Sequence, residues 1–405
     1  MIRSRALAYY ATRDLIPFYG VYALLFADHG LSASAISSLL IIWSAVSFLS
    51  EVPSGAWADV IDRRLLLVGS GLLFATGFAT WVLWPTYAGF ALGFVLWGVS
   101  GSLMSGTFES LLYDALVDRG EERGYARLMG WAAASQVVAA TVGIAVASPL
   151  FRLGGYPLVG WVSVGIALVH AALAATLPDP PRSGTTADDD DDDPFDGTGF
   201  GGSTFARWLM MLRAGLREVT SRATVRRLGL IAAALMGISA YDEYFGLLAR
   251  EAGVATADIA LLVALVGLGE VVGAAFAGRT EAWSGSAMAA AVVVAALSIA
   301  IGAASGHPVG FFGVAVGYGI AHNAIVVGEA RLQAAITGPA RATVTSVTGF
   351  LAEVFAVLCY AAFALGSIWW SIGTIMAMMC LPLVAIAVGI RAWWPRHPTP
   401  SPPNS

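Results

Sequence analysis

Two acidic residues stand side by side within an apolar run, in the tetrapeptide Tyr241-Asp242-Glu243-Tyr244. An unpaired charge near the centre of a bilayer costs about 2.5–3.5 kcal/mol even on insertion scales, so acids retained there usually have a function. Successive helical residues point about 100° apart, so at least one carboxylate is predicted to face the interior of a helix bundle. Such a carboxylate can exchange a proton, and carboxylates with tyrosine faces suit cations. The alternative is a structural pair with an Arg or His side chain.

Other apolar runs contain further candidate groups. Asp14 follows Arg13 in the first run, and Glu353 lies in a late one. The side chains of such an Arg-Asp pair can be satisfied by other helices, or the Arg can snorkel to the membrane interface. The remaining candidates for this site are Tyr19, Tyr22, His322 and Asn323.

Patterns of known enzyme and cofactor sites are missing from the sequence. All 22 basic residues are Arg. Without Lys the chain has neither a P-loop nor a Schiff-base site for pyridoxal phosphate or retinal. There is no HExxH, GxSxG or CxxC motif and no metal-spaced His/Cys group. We therefore expect no enzyme, no catalytic residue, no cofactor and no metal, and the charge distribution gives no reason to expect nucleic-acid binding.

The composition indicates a membrane protein that crosses the bilayer many times. Apolar residues make up 58% of the 405 residues and charged residues 12%, against about half and a quarter in soluble domains. A crossing needs roughly 20 apolar residues. The sequence therefore predicts an all-α membrane protein with twelve transmembrane helices, at 6–28, 33–54, 65–84, 87–116, 126–150, 155–177, 226–249, 256–277, 285–304, 309–332, 342–365 and 367–390.

The arginines set the orientation, because basic residues are retained on the cytoplasmic side. With the amino terminus inside, 19 of the 22 fall in inner segments and their flanks, and only Arg152 and Arg250 lie outside; Arg13 lies within the first span. This predicts a multi-pass protein of the cell inner (plasma) membrane with both termini in the cytoplasm.

A polar segment divides the chain into two halves. It includes six consecutive aspartates at 188–193, a composition typical of a disordered, solvated linker. The residues after it alternate apolar and Arg positions at helical spacing, as in a helix lying on the inner leaflet. The predicted boundaries are a six-helix half at 1–177, the linker with its in-plane helix at 178–225, a second six-helix half at 226–391, and a tail at 392–405.

The two halves resemble each other. Tyr19 matches Tyr241 and Tyr22 matches Tyr244, both at an offset of 222, while Glu51 matches Glu270 at 219. Each half has six spans in the same orientation, which indicates parallel repeats related by an axis along the membrane normal, a plan found in transporters. A substrate pathway is expected at the interface of such repeats.

Acids near the cytoplasmic ends of spans 2, 4, 8 and 10 suggest a gate. They lie within predicted reach of basic residues and form a network with them; the alternative is simple interfacial snorkelling. The residues are Glu51, Glu109, Glu270 and Glu329 with Arg127, Arg331 and Arg341.

The loop after span 2 reads Gly55-Ala56-Trp57-Ala58-Asp59-Val60-Ile61-Asp62-Arg63-Arg64. Gly55 allows close helix approach, and Asp59 can accept hydrogen bonds from a helix amino terminus. The loop resembles the signature loop of the major facilitator superfamily (MFS), although Asp62 stands where that family usually has its second Gly. The alternative is that these are ordinary cytoplasmic loop charges.

The resemblance covers essentially the whole chain and implies the MFS fold. In that family spans 1, 4, 7 and 10 line the cavity, which would bring the candidate groups of spans 1, 7 and 10 around one site. The loop locks the cytoplasmic side in the outward-open state, so the resemblance implies a latch formed by Asp59, Arg63 and Arg64. Span 4 lacks the Arg, and span 5 the Gly-Pro pair, of the family's drug antiporters.

These observations predict a secondary active transporter that moves small organic solutes by alternating access, with proton-coupled efflux as the first reading. A uniporter or solute importer is the alternative, and a non-transporting receptor or scaffold that uses the acidic linker is a third. We expect the partners to be a small-molecule substrate, protons and the lipid bilayer, with a monomeric protein.

Overall fold

The computed structural model describes residues 2–178, 222–336 and 341–394. The acidic linker, the predicted in-plane helix and most of the predicted tail lie outside these residues. Within the described ranges every regular element is helical and no strand occurs. The predicted all-α class is therefore confirmed.

The described residues form fourteen α-helices. They are α1 (Ile2–Asp14), α2 (Tyr22–Asp28), α3 (Ala33–Val60), α4 (Arg63–Leu83), α5 (Tyr87–Met104), α6 (Thr107–Val117), α7 (Tyr125–Ala175), α8 (Ala223–Ile238), α9 (Phe245–Glu251), α10 (Thr256–Thr280), α11 (Gly285–Ala304), α12 (Gly310–Ala335), α13 (Arg341–Gly366) and α14 (Ile372–Trp393). Short 3-10 helices at Pro17–Gly20, Glu122–Gly124 and Ser239–Tyr244 connect some of them.

Ten helical stretches of the described residues are long and apolar enough to cross a membrane. The twelve predicted spans are recovered when two features are considered. The first span is divided into α1 and α2, each too short to cross alone, and α7 contains both the fifth and the sixth spans. The backbone of α7 bends at Gly154 and Gly155, where Gly155 has a φ of 61° that glycine adopts without steric cost.

Three predicted spans that were expected to be continuous are broken. Span 1 is interrupted by the 3-10 segment Pro17–Gly20, span 4 at Gly106 with a φ of 73°, and span 7 by the 3-10 segment Ser239–Tyr244. Pro17 has no amide hydrogen to give to the helix. Non-helical backbone at membrane depth is tolerated where it is buried in protein or lines a water-filled cavity. The breaks therefore mark positions where a cavity or a site is expected.

The breaks in spans 1 and 7 occupy equivalent positions of the internal repeat. Adding 222 to Pro17–Gly20 gives the first four residues of the 3-10 segment Ser239–Tyr244. The repeat seen in residue identities therefore extends to backbone conformation.

The chain forms two compact units. The first comprises residues 2–19 and 42–178, and the second comprises residues 20–41, 222–336 and 341–394. In the first unit α7 packs against α1 and α4, and α4 packs against α5; in the second, α10 packs against α12, α11 against α14, and α8 against α13. Residues 20–41, which include α2 and the start of α3, thus belong with the carboxyl-terminal helices.

Glycine allows α10 and α12 to approach closely. A Cβ atom on Gly273 would collide with the carbonyl oxygen of Gly319, and one on Gly319 would collide with the carbonyl oxygen of Gly269. Small residues at such crossings are the usual means of packing membrane helices. This contact fixes the relative position of the candidate residues Glu270 and His322 on the two helices.

Candidate functional site

The acidic pair of span 7 lies in the 3-10 segment, and both side chains are half-buried. The Tyr318 hydroxyl donates a hydrogen bond of 2.8 Å to Asp242 Oδ2. The Tyr22 hydroxyl donates to Glu243 Oε2. Within the described residues neither carboxylate forms an ion pair with an Arg or His. Tyrosine hydroxyls, rather than cations, thus hold both acids.

The two tyrosines that flank the pair are packed. Tyr241 and Tyr244 are 1% and 0% exposed. Tyr244 stacks on Phe363 with ring centroids 3.7 Å apart and shares a hydrogen bond of 2.6 Å with Ser37. In this conformation their faces are covered, so they support the acidic segment and do not present a surface to a ligand.

A second polar centre joins α10 and α12. His322 Nδ1 lies 3.4 Å from Glu270 Oε1, and both side chains are partly exposed. Glu270 is also within electrostatic range of Asp242. Glu270, which the sequence analysis assigned to a cytoplasmic gate, thus pairs with His322, which it assigned to the substrate and proton site.

Asn323 points away from this centre. Its Oδ1 accepts a hydrogen bond of 2.9 Å from the Thr280 hydroxyl, and its Nδ2 donates one of 2.9 Å to the carbonyl of Gly273. Asn323 is 7% exposed. It therefore bonds α12 to α10, while its neighbour His322 pairs with Glu270.

Arg13 and Asp14 of the first unit have separate partners. The Arg13 guanidinium is 8% exposed, lies 5.1 Å from the centroid of Phe74, and donates a hydrogen bond of 3.0 Å to Met104 Sδ. Asp14 is half-buried and accepts hydrogen bonds from the Tyr19 hydroxyl, at 2.9 Å, and from Gln136 Nε2. Other helices thus satisfy both side chains, one of the outcomes expected from the sequence.

The signature loop is described in part. Asp62 is the N-cap of α4, where its Oδ1 accepts a hydrogen bond of 3.0 Å from the amide of Leu65, so it has a capping role where the family usually has a glycine. Arg63 forms an ion pair of 2.5 Å with Asp114. Arg64 is half-buried, and for Gly55 and Asp59 only the backbone, within α3, is described.

The described contacts of the other gate residues differ from an acid–arginine network. Glu109 accepts a hydrogen bond of 2.6 Å from Tyr10. Arg331 donates to the carbonyl oxygens of Glu281 and of Trp283, the latter at 2.9 Å. Glu51, Arg127 and Glu329 are exposed, and only the backbone of Arg341 is described. Glu353, a candidate for the substrate and proton site, is also exposed.

Sequence reasoning missed three partners: Gln136, Asp114 and Tyr318. Asp114 is an acid within a predicted span and carried a usable signal. Tyr318 lies one helical turn before His322, so it shares a face with a residue already chosen. Gln136 gave no signal, because an uncharged amide in an apolar run is not exceptional.

Comparison with known proteins identifies the family. The family model of the Major Facilitator Superfamily matches residues 6–280. No curated protein matches the sequence. The crystal structure of a bacterial homologue of the human lysosomal transporter Spinster, inward-facing and unoccupied, aligns with a TM-score of 0.71 at 16% identity, covering 99% of this chain and 98% of that one.

A crystal structure of a mutant of the nucleoside transporter NupG aligns with a TM-score of 0.73 at 11% identity, covering 98% of this chain and all of that one (100%). At these identities the likeness shows a shared fold. The helical repeat and the family match over more than half of the sequence agree with each other, and the chain is thus a multi-pass membrane protein that belongs to the Major Facilitator Superfamily.

Proposed function

We propose that the protein is a secondary active transporter that exports small organic solutes by alternating access, in exchange for protons. Membership of the family supports transport, and one of its structural neighbours is a nucleoside transporter. The arginine distribution supports cytoplasmic termini and a place in the plasma membrane. The proposed proton site is the pair Asp242 and Glu243, with Tyr22 and Tyr318 as its hydrogen-bond donors.

The acidic pair is the observation on which proton coupling rests. Two carboxylates on adjacent residues are half-buried, and the described residues give neither an ion-pair partner. Two such groups titrate as a unit. Because two adjacent negative charges repel in a low-dielectric site, a single proton shared by the pair removes the repulsion.

The Tyr22 hydrogen bond connects the proton site to the segment 20–41. Tyr22 begins α2, in the stretch 20–41 that packs with the carboxyl-terminal helices. A hydrogen bond to an ionised carboxylate is roughly twice as strong as one to a neutral acceptor. Protonation of Glu243 would therefore loosen the contact between this segment and span 7. In our proposal this is how proton binding biases the transporter towards its other state.

The gate proposed for the cytoplasmic side rests on the signature loop. Arg63 is held by Asp114, and Asp62 caps the following helix. These contacts lie at the start of α4, a few residues after Asp59 at the end of α3. The latch role of Asp59 and Arg64, and the roles of Glu51, Glu109, Glu329, Arg127, Arg331 and Arg341 at the same side, remain proposals that labelling experiments can test.

The experiment is a flux measurement in liposomes that contain a trapped pH dye. Purified protein is given pools of organic cations, nucleosides and neutral drugs, with and without an imposed proton gradient. Solute-dependent proton movement in the direction opposite to the solute supports antiport. Proton movement in the same direction as the solute supports an importer. The double variant Asp242→Asn/Glu243→Gln should transport without pH dependence, whereas Asp118→Asn, on an exposed loop, should behave as wild type.

Two results would overturn the proposal. Unchanged proton coupling in the double variant would remove the acidic pair from the mechanism, and solute flux without proton movement in wild type would indicate a uniporter. Deletion of residues 183–202 separates transport from a scaffold function. A transporter should tolerate the deletion, whereas a scaffold should lose its partner.

A further inference from the structure

Aromatic side chains of the first unit form a stacked group around Trp97. The Tyr19 ring stacks on it with centroids 5.2 Å apart and planes at 10°, and the Trp43 ring lies 4.8 Å away at 36°. Phe94 stacks on the same indole at 5.8 Å and 7°. Phe94 is 0% and Trp97 8% exposed, while Tyr19 and Trp43 are half-buried. The group therefore has a packed base and an accessible edge formed by Tyr19 and Trp43.

A carboxylate adjoins this edge. The Tyr19 hydroxyl donates a hydrogen bond of 2.9 Å to Asp14 Oδ1, and Gln136 donates to Oδ2 of the same group. Asp14 itself is half-buried. The two hydrogen bonds fix the orientation of the carboxylate beside this edge. The aromatic edge and the charge are thus held together by a direct contact.

The position of Asp14 in a membrane span favours a location inside the helix bundle. Acidic side chains within membrane spans face the bundle interior or an aqueous cavity, because lipid cannot solvate them. Asp14 and Tyr19 also flank or lie within the break in the α-helix of span 1, between the end of α1 and the start of α2. Ile16 and Phe18 in this stretch are 0% exposed, so its backbone is buried in protein. Asp14 and Tyr19 are partly exposed and form the accessible part of the stretch.

The neighbouring Arg13 does not occupy the carboxylate. Its guanidinium lies over Phe74 and bonds to Met104. Phe74 itself lies 5.8 Å from Trp97. Asp14 is bonded directly to Tyr19 and supplies a negative charge at the edge.

We propose that Tyr19, Trp43 and Asp14, which lie on the packed base formed by Phe94 and Trp97, form a binding subsite for the planar aromatic cation of a transported solute. Indole is the best of the aromatic faces for a cation, and a planar ring adds offset stacking. The inference rests on the proposed transport function and names its substrate class. It also separates two tasks: the first unit recognises the solute, and the acidic pair Asp242 and Glu243 of the second unit handles the proton.

The test is equilibrium dialysis of the purified full-length protein in detergent at fixed pH, without a gradient. The probes are 1-methylquinolinium and quinoline, which have the same ring system but differ in charge at neutral pH. Wild type should bind the cation more tightly. Trp43→Leu should weaken binding of the cation by about 3- to 30-fold. Asp14→Asn should weaken binding of the cation by about tenfold, because the Coulombic attraction is lost, and should leave binding of quinoline unchanged.

Matched variants keep the result interpretable. Trp161→Leu removes a tryptophan of the same unit that is 46% exposed and should bind both probes as wild type does. If Trp43→Leu does not fold, Trp43→Phe keeps a weaker aromatic face and should give an intermediate loss. Each variant is first checked for a monodisperse profile and an unchanged melting temperature.

The proposal is overturned if wild type binds the two probes equally or not at all, or if Asp14→Asn leaves the preference for the cation intact. The acidic-pair variant distinguishes this failure from failure of the proposed function. In Asp242→Asn/Glu243→Gln the dialysis measures the subsite, and the liposome assay measures coupling. If this double variant loses proton coupling but still prefers the cation, both proposals are supported. If the double variant keeps proton coupling while Asp14→Asn loses the preference for the cation, only the subsite is supported.

Discussion

Asp28 and Arg250 form an ion pair of 2.8 Å between the ends of two helices that the internal repeat makes equivalent. Asp28 is the last residue of α2, and Arg250 lies at the corresponding place in α9, 222 residues later. The same segment 20–41 contributes Tyr22 to Glu243 and Ser37 to Tyr244. The short helix α2 thus carries a charged contact at its last residue and, at its first, the donor to a proposed proton-binding residue.

Breaking the Asp28–Arg250 pair should free this segment with little loss of stability. The side chains are 41% and 31% exposed, and such pairs contribute about 0–1 kcal/mol. Arg250→Ala should therefore raise the labelling rate of an Ala35→Cys variant, by at most about fivefold. The measurement is modification by a charged thiol reagent; the native cysteines Cys359 and Cys380 are buried.

Exchange of the two charges provides the control. Asp28→Arg/Arg250→Asp should restore the slow labelling rate, since the attraction is regained with the partners reversed. A labelling rate that stays unchanged in both Arg250→Ala and the charge exchange would mean that the tyrosine and serine contacts alone hold the segment.

The Arg63–Asp114 pair should matter far more to stability. Its side chains are 19% and 8% exposed, and removal of one partner of a buried pair leaves an uncompensated charge. Asp114→Asn should lower the free energy of unfolding by about 3 kcal/mol. Denaturation of the purified protein in a mild detergent measures the change.

A matched control lies in the same unit. Arg3 and Glu121 form an ion pair of 2.7 Å whose side chains are 62% and 43% exposed. Glu121→Gln should leave the free energy of unfolding nearly unchanged. Equal losses for Asp114→Asn and Glu121→Gln would show that burial does not set the strength of these pairs.

The sequence predicted which segments cross the membrane, because apolar composition averages over about 20 residues. It did not predict the breaks at Pro17–Gly20 and Ser239–Tyr244. The second break contains no proline, so its conformation depends on tertiary contacts such as that of Asp242 with Tyr318. Local propensity carries no information on such contacts.

The same limit applies to the candidate site. Residue type alone identified Asp14, Asp242 and Glu243 as unusual within spans. The pattern could not show that His322 pairs with Glu270 while Asn323, one residue later, bonds to Thr280 and Gly273. That division depends on the rotation of α12 against α10, which is set by packing of glycines across the contact.

The latch proposed for Asp59 predicts that its substitution changes the equilibrium between the inward-open and outward-open states. Asp59→Asn removes the charge that would lock the cytoplasmic side, so the inward-open state should become more populated. Cysteines introduced at each end of the bundle, labelled by an impermeant reagent, report the balance. Asp118→Asn, on an exposed loop nearby in the sequence, should not change it, and an unchanged balance in Asp59→Asn would refute the latch.

The α10–α12 contact offers a test of how the site is positioned. In Gly273→Ala the new methyl group would collide with the carbonyl oxygen of Gly319, and overpacking of this kind costs about 1–3 kcal/mol. Gly278→Ala in the same helix meets no atom within 4 Å, so it should be neutral or stabilise by about 0.4–1 kcal/mol, because alanine loses less backbone entropy.

Transport assays on the same two variants distinguish an effect on helix packing from an effect on the position of the site residues. If the close contact sets the Glu270–His322 geometry beside Asp242, Gly273→Ala should reduce proton-coupled flux more than its melting temperature explains, and Gly278→Ala should retain both. A Gly273→Ala protein with a lower melting temperature but normal proton-coupled flux would show that α10 can move away from α12 without disturbing the acidic centre. In that case Glu270 and His322 stabilise the fold and do not take part in coupling.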